Sequence, residues 1–325
     1  MKKLLALLLA LAMVFALTAC GSSATTTDTA AEAPAEDDAA AAEAAAEADA
    51  FDEAEEAGAA CGEIGACGEM DACGEMGSSL PAFDASAYAA DGDLADILAK
   101  GTLVVGITDF EPMDYQDVNG NWIGFDADMA ALFAQYLGVE VEFVEIDWDN
   151  KIMELNAGTI DCVWNGMTLT DEVTSSMSCS NAYCNNAQVA IVPADSADQY
   201  QTVESLADLV FAVEAGSAGE AEVTALGYAT NPVQSQAAAL MEVAAGTSDA
   251  AVIDALMAAA MVGEGTSYAD LTYTVGLNSE EYGVGFRSDS DMAQVLNDFF
   301  SACYINGTMQ AIAESYGVQA ALIAQ

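Results

Sequence analysis

From about Ser86 to Gln325 the chain alternates short apolar runs with amphipathic stretches, and glycine punctuates them. Leu94, Ile97 and Leu98 recur at helical spacing and stop at Gly101, a residue suited to the left-handed position after a helix. Leu103 to Ile107 then reads as a buried strand. A helix from about Asp126 to Leu137 stops at Gly138, before a strand from Val139 to Ile146. A further helix, about Asn150 to Ala157, stops at Gly158 ahead of the strand Ile160 to Trp164, where Cys162 reads as core. This βαβα order predicts a parallel sheet with helices on both faces. The second half repeats the grammar: a helix Ser205 to Leu209 capped by Ser205, a strand Val210 to Glu214, and a small-residue turn Ala215 to Gly219 that opens a helix. There follow a helix about Gln236 to Ala245, a strand Ala250 to Ile253 with Asp254 at its end, a strand Tyr282 to Phe286, a helix Asp291 to Ile305, then Gly307 and a last helix to Tyr316. Such a chain is long enough for two small α/β units.

The N-terminal pattern is different. Lys2 and Lys3 precede an apolar run from Leu4 to Leu17, too short to span a bilayer comfortably, which reads as a signal peptide over residues 1–19. Leu17-Thr18-Ala19-Cys20 resembles the lipobox of bacterial lipoproteins, which implies a diacylglycerol on Cys20 and a chain tethered to the outside of the cell membrane. No later stretch reaches eighteen apolar residues in a row. Residues 20–85 are rich in Ala, Glu, Asp, Thr and Ser, with few large apolar side chains, and are expected to be a disordered acidic linker.

Within that linker Cys61, Cys67 and Cys73 recur every six residues, each followed by Gly and Glu. A soft metal ion is one reading of this repeat and low-complexity drift the other; without histidine or close cysteine pairs, no metal site is expected. Cys179 and Cys184 are near enough in sequence to bridge a turn, which sequence leaves open.

Charge narrows the partners. Asp and Glu number 53 against 5 Lys and Arg, a formal charge of -48, and the only basic residues after Cys20 are Lys100, Lys151 and Arg287. Such a surface repels nucleic acid and anionic lipid. It serves solubility or attracts cationic solutes, and composition does not choose between them.

Ordered landmarks then carry a resemblance. They are Leu103-Val104-Val105-Gly106, Asp109 to Tyr115, Gly124 to Ala130, Asp147-Trp148-Asp149, Gly158 to Asp161, Asn165-Gly166-Met167-Thr168-Leu169-Thr170, Asp249 to Asp254, Tyr282 to Phe286 and Asn306-Gly307-Thr308. Together they resemble the polar-amino-acid family of bacterial solute-binding proteins, a two-lobed α/β type II periplasmic-binding fold. The resemblance implies a first lobe over residues 86–190 and 280–325, a second over 191–279, and a hinge of two crossing strands near Val189 to Pro193 and Asn278 to Tyr282. It also implies an amino acid or other amine-bearing solute, an ABC permease as partner, a monomer, no cofactor and no enzymatic activity.

The family likeness sets Phe110 and Trp148 on either side of the solute, with Tyr115 packed behind them; ordinary core packing is the competing reading of these rings. Asn165, Gly166, Met167 and Thr168 supply backbone and hydroxyl groups, and Thr170 caps the helix that follows. Asp254 pairs with the solute ammonium in the family, helix capping being the competing reading, while Ser217 and Ala218 at a helix start meet its carboxylate. One position departs: where the family carries a carboxylate-gripping arginine, this chain has Val173, with no nearby basic residue expected. Either an α-amino acid still binds through Thr168, Ser217 and amides, or the solute is a cationic amine without that carboxylate, met by Asp254, Glu214, Asp109 and the aromatic faces. A decayed pocket and a dehydratase acting on prephenate-like rings on the same fold are further alternatives, the second disfavoured by the absence of histidine and the scarcity of Lys and Arg.

Overall fold

The computed structural model describes residues 80–88 and 91–325. The signal peptide, Cys20 and the cysteine repeat lie outside the described residues. Leu80 and Phe83, expected in the disordered linker, instead pack against the main core, where the Phe83 ring meets Tyr136 edge-on at 5.2 Å. Two large apolar side chains close to the end of an otherwise polar segment have a surface to bury, and they bury it.

Thirteen strands lie among the described residues: β1 (Thr102–Ile107), β2 (Tyr115–Gln116), β3 (Trp122–Ile123), β4 (Glu140–Glu145), β5 (Cys162–Thr168), β6 (Ser178–Cys179), β7 (Cys184–Asn186), β8 (Gln188–Pro193), β9 (Val210–Glu214), β10 (Ala229–Val233), β11 (Ala250–Asp254), β12 (Leu271–Gly276) and β13 (Glu280–Phe286). They form one sheet in the order β4-β1-β5-β13-β6, with β7 also on β13, a second in the order β10-β9-β11-β8-β12, and the small β2-β3 pair. The chain leaves the first sheet after β7, crosses at Ala187 into β8, and returns through residues 277–279 between β12 and β13.

Each sheet has a parallel heart. β1 runs parallel to β4 and β5, and β9 parallel to β10 and β11. The purely parallel sheet expected from the βαβα order is corrected by the return strands: β13 is antiparallel to β5, and β8 antiparallel to β11. The helices Asp93–Lys100, Phe125–Leu137 and Lys151–Ala157 stop at the expected glycines. Ser205 is not an N-cap; Thr202 caps a short 3-10 turn, Val203–Leu206, and Ser205 closes its capping box.

Apolar runs from β1, β5 and β13 are buried against the helices Phe125–Leu137 and Met292–Ile305, which meet each other at Phe133 and Phe299, 5.1 Å between ring centroids, while Trp164 meets Phe300 at 5.5 Å. Burying side chains of this size contributes about 2 to 3 kcal/mol each, so the sheet ends are fixed in place. Among the described residues Cys162, Cys179, Cys184 and Cys303 are free thiols, so Cys179 and Cys184 are not bridged.

Candidate functional site

Carboxyl ends of strands from both sheets meet around a cavity of about 250 Å³. From the first sheet come Phe110, just past β1, Trp148 in a 3-10 turn after β4, the Asn165 to Thr168 end of β5, and the helix start at Thr170 to Val173. From the second come Gln188, Glu214 at the end of β9, Gly216 to Ala218, Gln236, and Asp254 at the end of β11. Ligand sites of open α/β sheets lie in this place, outside the strand ends.

Of the residues named from the sequence, the structure gathers Phe110, Trp148, Asn165, Gly166, Met167, Thr168, Glu214, Ser217, Ala218 and Asp254 on this one cavity. Asp109 is not among them: its side chain is exposed and outside the lining. The strand period explains this, because Phe110 turns inward and its neighbour turns out. Tyr115 does not stand behind Phe110 either; it packs edge-on against Tyr316 at 6.5 Å, and Tyr282 takes the place beside Phe110 at 6.3 Å.

Gly166 is required by its surroundings. Its φ is +52°, and a Cβ there would stand 2.5 Å from Cε1 of Phe110. Its N–H donates to Asp126 Oδ2 at 2.7 Å, and Tyr183 donates to the same oxygen at 2.6 Å. The Asn165 amide is fully engaged: Oδ1 accepts from the backbone and hydroxyl of Thr108 at 2.9 and 2.8 Å, and Nδ2 donates to Thr108 O and Asp114 Oδ2 at 3.1 and 2.8 Å. Asn165 therefore shapes the wall with its side chain and offers the cavity its backbone. The Thr168 hydroxyl donates to Glu280 Oε1 at 2.9 Å, leaving its lone pairs as an acceptor.

Asp254 sits at the N-cap of the helix Ala255–Met261 but makes no side-chain cap bond. Its Oδ1 accepts from Asn186, from Gln188 at 2.9 Å and from Tyr282 at 2.7 Å, and its Oδ2 accepts from Gln236. Burial, with Glu280 close by, holds its carboxyl well above the ordinary carboxylate range. Glu214 is 3% exposed, and its Oε1 has no hydrogen-bond partner. Burial pushes Glu214 up to about 8, against the opposing pull of Lys151, Thr108 and Gln236.

The cation that the sequence did not place in the cleft is Lys151. Its side chain is 8% exposed, lines the cavity, donates to Gly216 O at 2.9 Å and Trp148 O at 3.2 Å, and lies 4.9 Å from the Trp148 ring centroid. Burial draws its ammonium below the usual lysine range, while Glu172, Glu214 and Asp149 draw it back. Position 151 opens a helix and its long stem follows the wall, so local sequence carried no sign that the head enters the cavity. The expectation of a cleft without a basic residue is thus corrected.

A model of the bacterial extracellular solute-binding proteins, family 3, matches residues 103–319. The chain belongs to that family. The L-cystine-binding protein TcyJ of Escherichia coli (strain K12) is 26% identical to this solute-binding protein over 239 residues, 71% of this chain and 88% of the relative. A solved ABC uptake transporter substrate-binding protein from Streptococcus pneumoniae, with bound histidine, is 29% identical at a TM-score of 0.65, the match covering 72% of this chain and 99% of that one. The cyclohexadienyl dehydratase of Pseudomonas aeruginosa is 28% identical over 123 residues, 38% of this chain and 46% of the enzyme. The expected α/β, two-sheet solute-binding architecture is therefore the fold of this family-3 protein, and Val173 lines the same cavity as Lys151.

Proposed function

We propose that this solute-binding protein captures an amino acid, or a relative bearing an ammonium group, outside the cytoplasm and hands it to the permease of an ABC importer. One observation carries the reading. Between the aromatic side chains of Phe110 and Trp148 and the ends of β9 and β11 lies a cavity in which a buried carboxyl oxygen, Glu214 Oε1, has no partner. A buried acceptor left unpaired is costly, and an ammonium would satisfy it. Relatives named for L-cystine and solved with histidine support a solute of this class.

Capture proceeds by closing the second-sheet unit, residues 188–276, onto the first-sheet unit, with flexure at Ala187 and residues 277–279, where the chain crosses between sheets. Cys20 carries the lipid that keeps a monomeric protein at the membrane. Metabolic labelling with a fatty acid, lost in Cys20→Ser, tests the anchor, and light scattering of the purified protein tests the monomer.

Solute binding is tested by thermal denaturation of the purified protein against amino acids, polyamines and quaternary amines. At least one compound is expected to raise the melting temperature with saturable dose dependence; a flat response to every compound overturns the reading. The local likeness to a dehydratase sustains a second reading, in which Glu214 acts as a protonated acid. The cavity offers a dicarboxylate ring only one cation, Lys151, so incubation with a cyclohexadienyl acid is expected to release no aromatic product.

A further inference from the structure

The protein has three basic residues after Cys20, and the structure uses two of them in one place. Lys100 Nζ meets Asp161 at 2.6 Å, and Arg287 bridges Asp93 at 3.0 Å and Asp161 at 3.7 Å. Among the described residues, every ion pair within 4.0 Å belongs to those two. Lys151, the third, is the one buried in the solute cavity, and among the described residues its ammonium has no carboxylate within 4.0 Å.

A buried ammonium without a contacting anion is an unfinished arrangement. Leaving water is costly for such a group, and two carbonyls and an aromatic face offset only part of that cost. Lysine carries three N–H donors, and two are engaged, on Trp148 O and Gly216 O. The acceptors lie on opposite sides of the cleft, Trp148 after β4 and Gly216 after β9, so the head is pinned where the two sheet units meet. Beside it the helix Ala218–Ala225 begins, with Ser217 Oγ accepting from Glu220 N–H at 3.1 Å, and the first amides of a helix add positive potential. Glu214, whose Oε1 lacks a donor, lines the same cavity. The cavity thus offers a carboxyl acceptor, Glu214, and a cationic donor, Lys151, for the two ends of a zwitterion.

We propose that Lys151 is the specificity-determining residue for a carboxylate on the solute, supplying from the Lys151–Ala157 helix the cation that Val173 does not. This rests on the solute-binding reading above and names its class: an α-amino acid, with its carboxylate on Lys151 Nζ and its ammonium toward Glu214. An amine lacking the carboxylate leaves Lys151 without its anion. The same contact makes closure solute-dependent, because the carboxylate completes the ammonium that Gly216 and Trp148 hold.

The test uses matched pairs that differ only in the α-carboxylate: histidine with histamine, arginine with agmatine, ornithine with putrescine. Titration calorimetry on the purified protein is expected to show at least one amino acid bound about tenfold or more tighter than its amine. In Lys151→Met, which keeps the apolar stem, that amino acid weakens on the order of 100-fold while its amine binds at least as tightly. Adding Val173→Arg to Lys151→Met restores the preference for the amino acid, an outcome that a misfolded variant would not give. Retention of the wild-type preference in Lys151→Met, or a wild-type preference for the amines, overturns the assignment and leaves the solute-binding reading standing. Failure of every pair to bind the wild-type protein, together with a flat thermal response to the full panel of amino acids and amines, overturns both.

Discussion

Asp254, at the end of β11, and Glu280, at the start of β13, hold the same two side-chain amides between them. Gln188 Nε2 donates to Asp254 Oδ1 at 2.9 Å and to Glu280 Oε1 at 2.8 Å; Asn186 Nδ2 donates to both oxygens as well, reaching Glu280 at 2.6 Å. One acid belongs to each sheet, and the amides flank the crossing at Ala187. Burial, with Glu280 beside it, holds the Asp254 carboxyl well above the ordinary carboxylate range.

Removing Asp254 therefore reaches beyond the solute. In Asp254→Ala the side chains of Asn186, Gln188, Gln236 and Tyr282 each lose an acceptor. The variant is expected to lose on the order of 3 kcal/mol of stability as well as solute binding. Urea denaturation checks it: an unchanged midpoint would show that these donors re-pair elsewhere.

Stability is expected to fall as pH rises. Asp126 is raised to about 7 and Glu214 to about 8 in the folded protein, with burial the leading cause for both, and Asp114 and Asp254 are raised well above the carboxylate range. Between about pH 4 and pH 8 the folded state binds more protons than the unfolded chain, so this stability is present at low pH and lost as pH climbs through the folded values. Thermal melts at pH 5 should lie about 5 °C or more above those at pH 8; the opposite slope would show these acids ionised in the fold.

Glu280→Gln isolates one part of that slope. Without the neighbouring charge Asp254 ionises more readily, so melting temperatures of the variant should vary less between pH 5 and pH 8 than those of the wild type. An identical profile would mean that Glu280 does not act on Asp254.

Solute capture should itself release a proton. An ammonium beside Glu214 favours its carboxylate, yet burial holds the free carboxyl near 8. Affinity for an amine-bearing solute is then expected to rise with pH from about 6 to 8, and the rise to vanish in Glu214→Gln. Calorimetry in buffers of different ionisation enthalpy reads the proton directly, and buffer-independent heats would count against Glu214.

Gly166→Ala should be among the more damaging single changes in the cavity. The new methyl has a positive φ to adopt and the Phe110 ring to displace. A loss of about 1 to 3 kcal/mol is expected, together with weakened binding; a fully active variant would show that the Phe110 ring moves freely.

Much of this fold was legible because local signals were strong. Gly101, Gly138 and Gly158 stop helices where expected, and Val210–Glu214 and Gln236–Ala245 are found with the bounds expected. β10 carries no clear strand signal, since Asn231 and Pro232 are poor strand formers; proline is tolerated there on the sheet edge. β5 runs on to Thr168 past Gly166, a residue that normally weakens a strand, because Asp126 and Tyr183 hold that stretch from behind. The Asp254 network was illegible for a different reason. Asn186, Gln188 and Gln236 lie 68, 66 and 18 residues from Asp254, and no local pattern marks an amide that will be buried with a distant acid.

Gly216, whose carbonyl receives Lys151, also forms the seam with Asp149. At φ +72°, a Cβ on Gly216 would stand 2.8 Å from the Asp149 Cα, so backbone presses on backbone with no side chain between. Alanine at this position would force Gly216 and Asp149 apart, and under the proposed closing motion one methyl group would then be enough to hold the two sheet units ajar and let a solute escape.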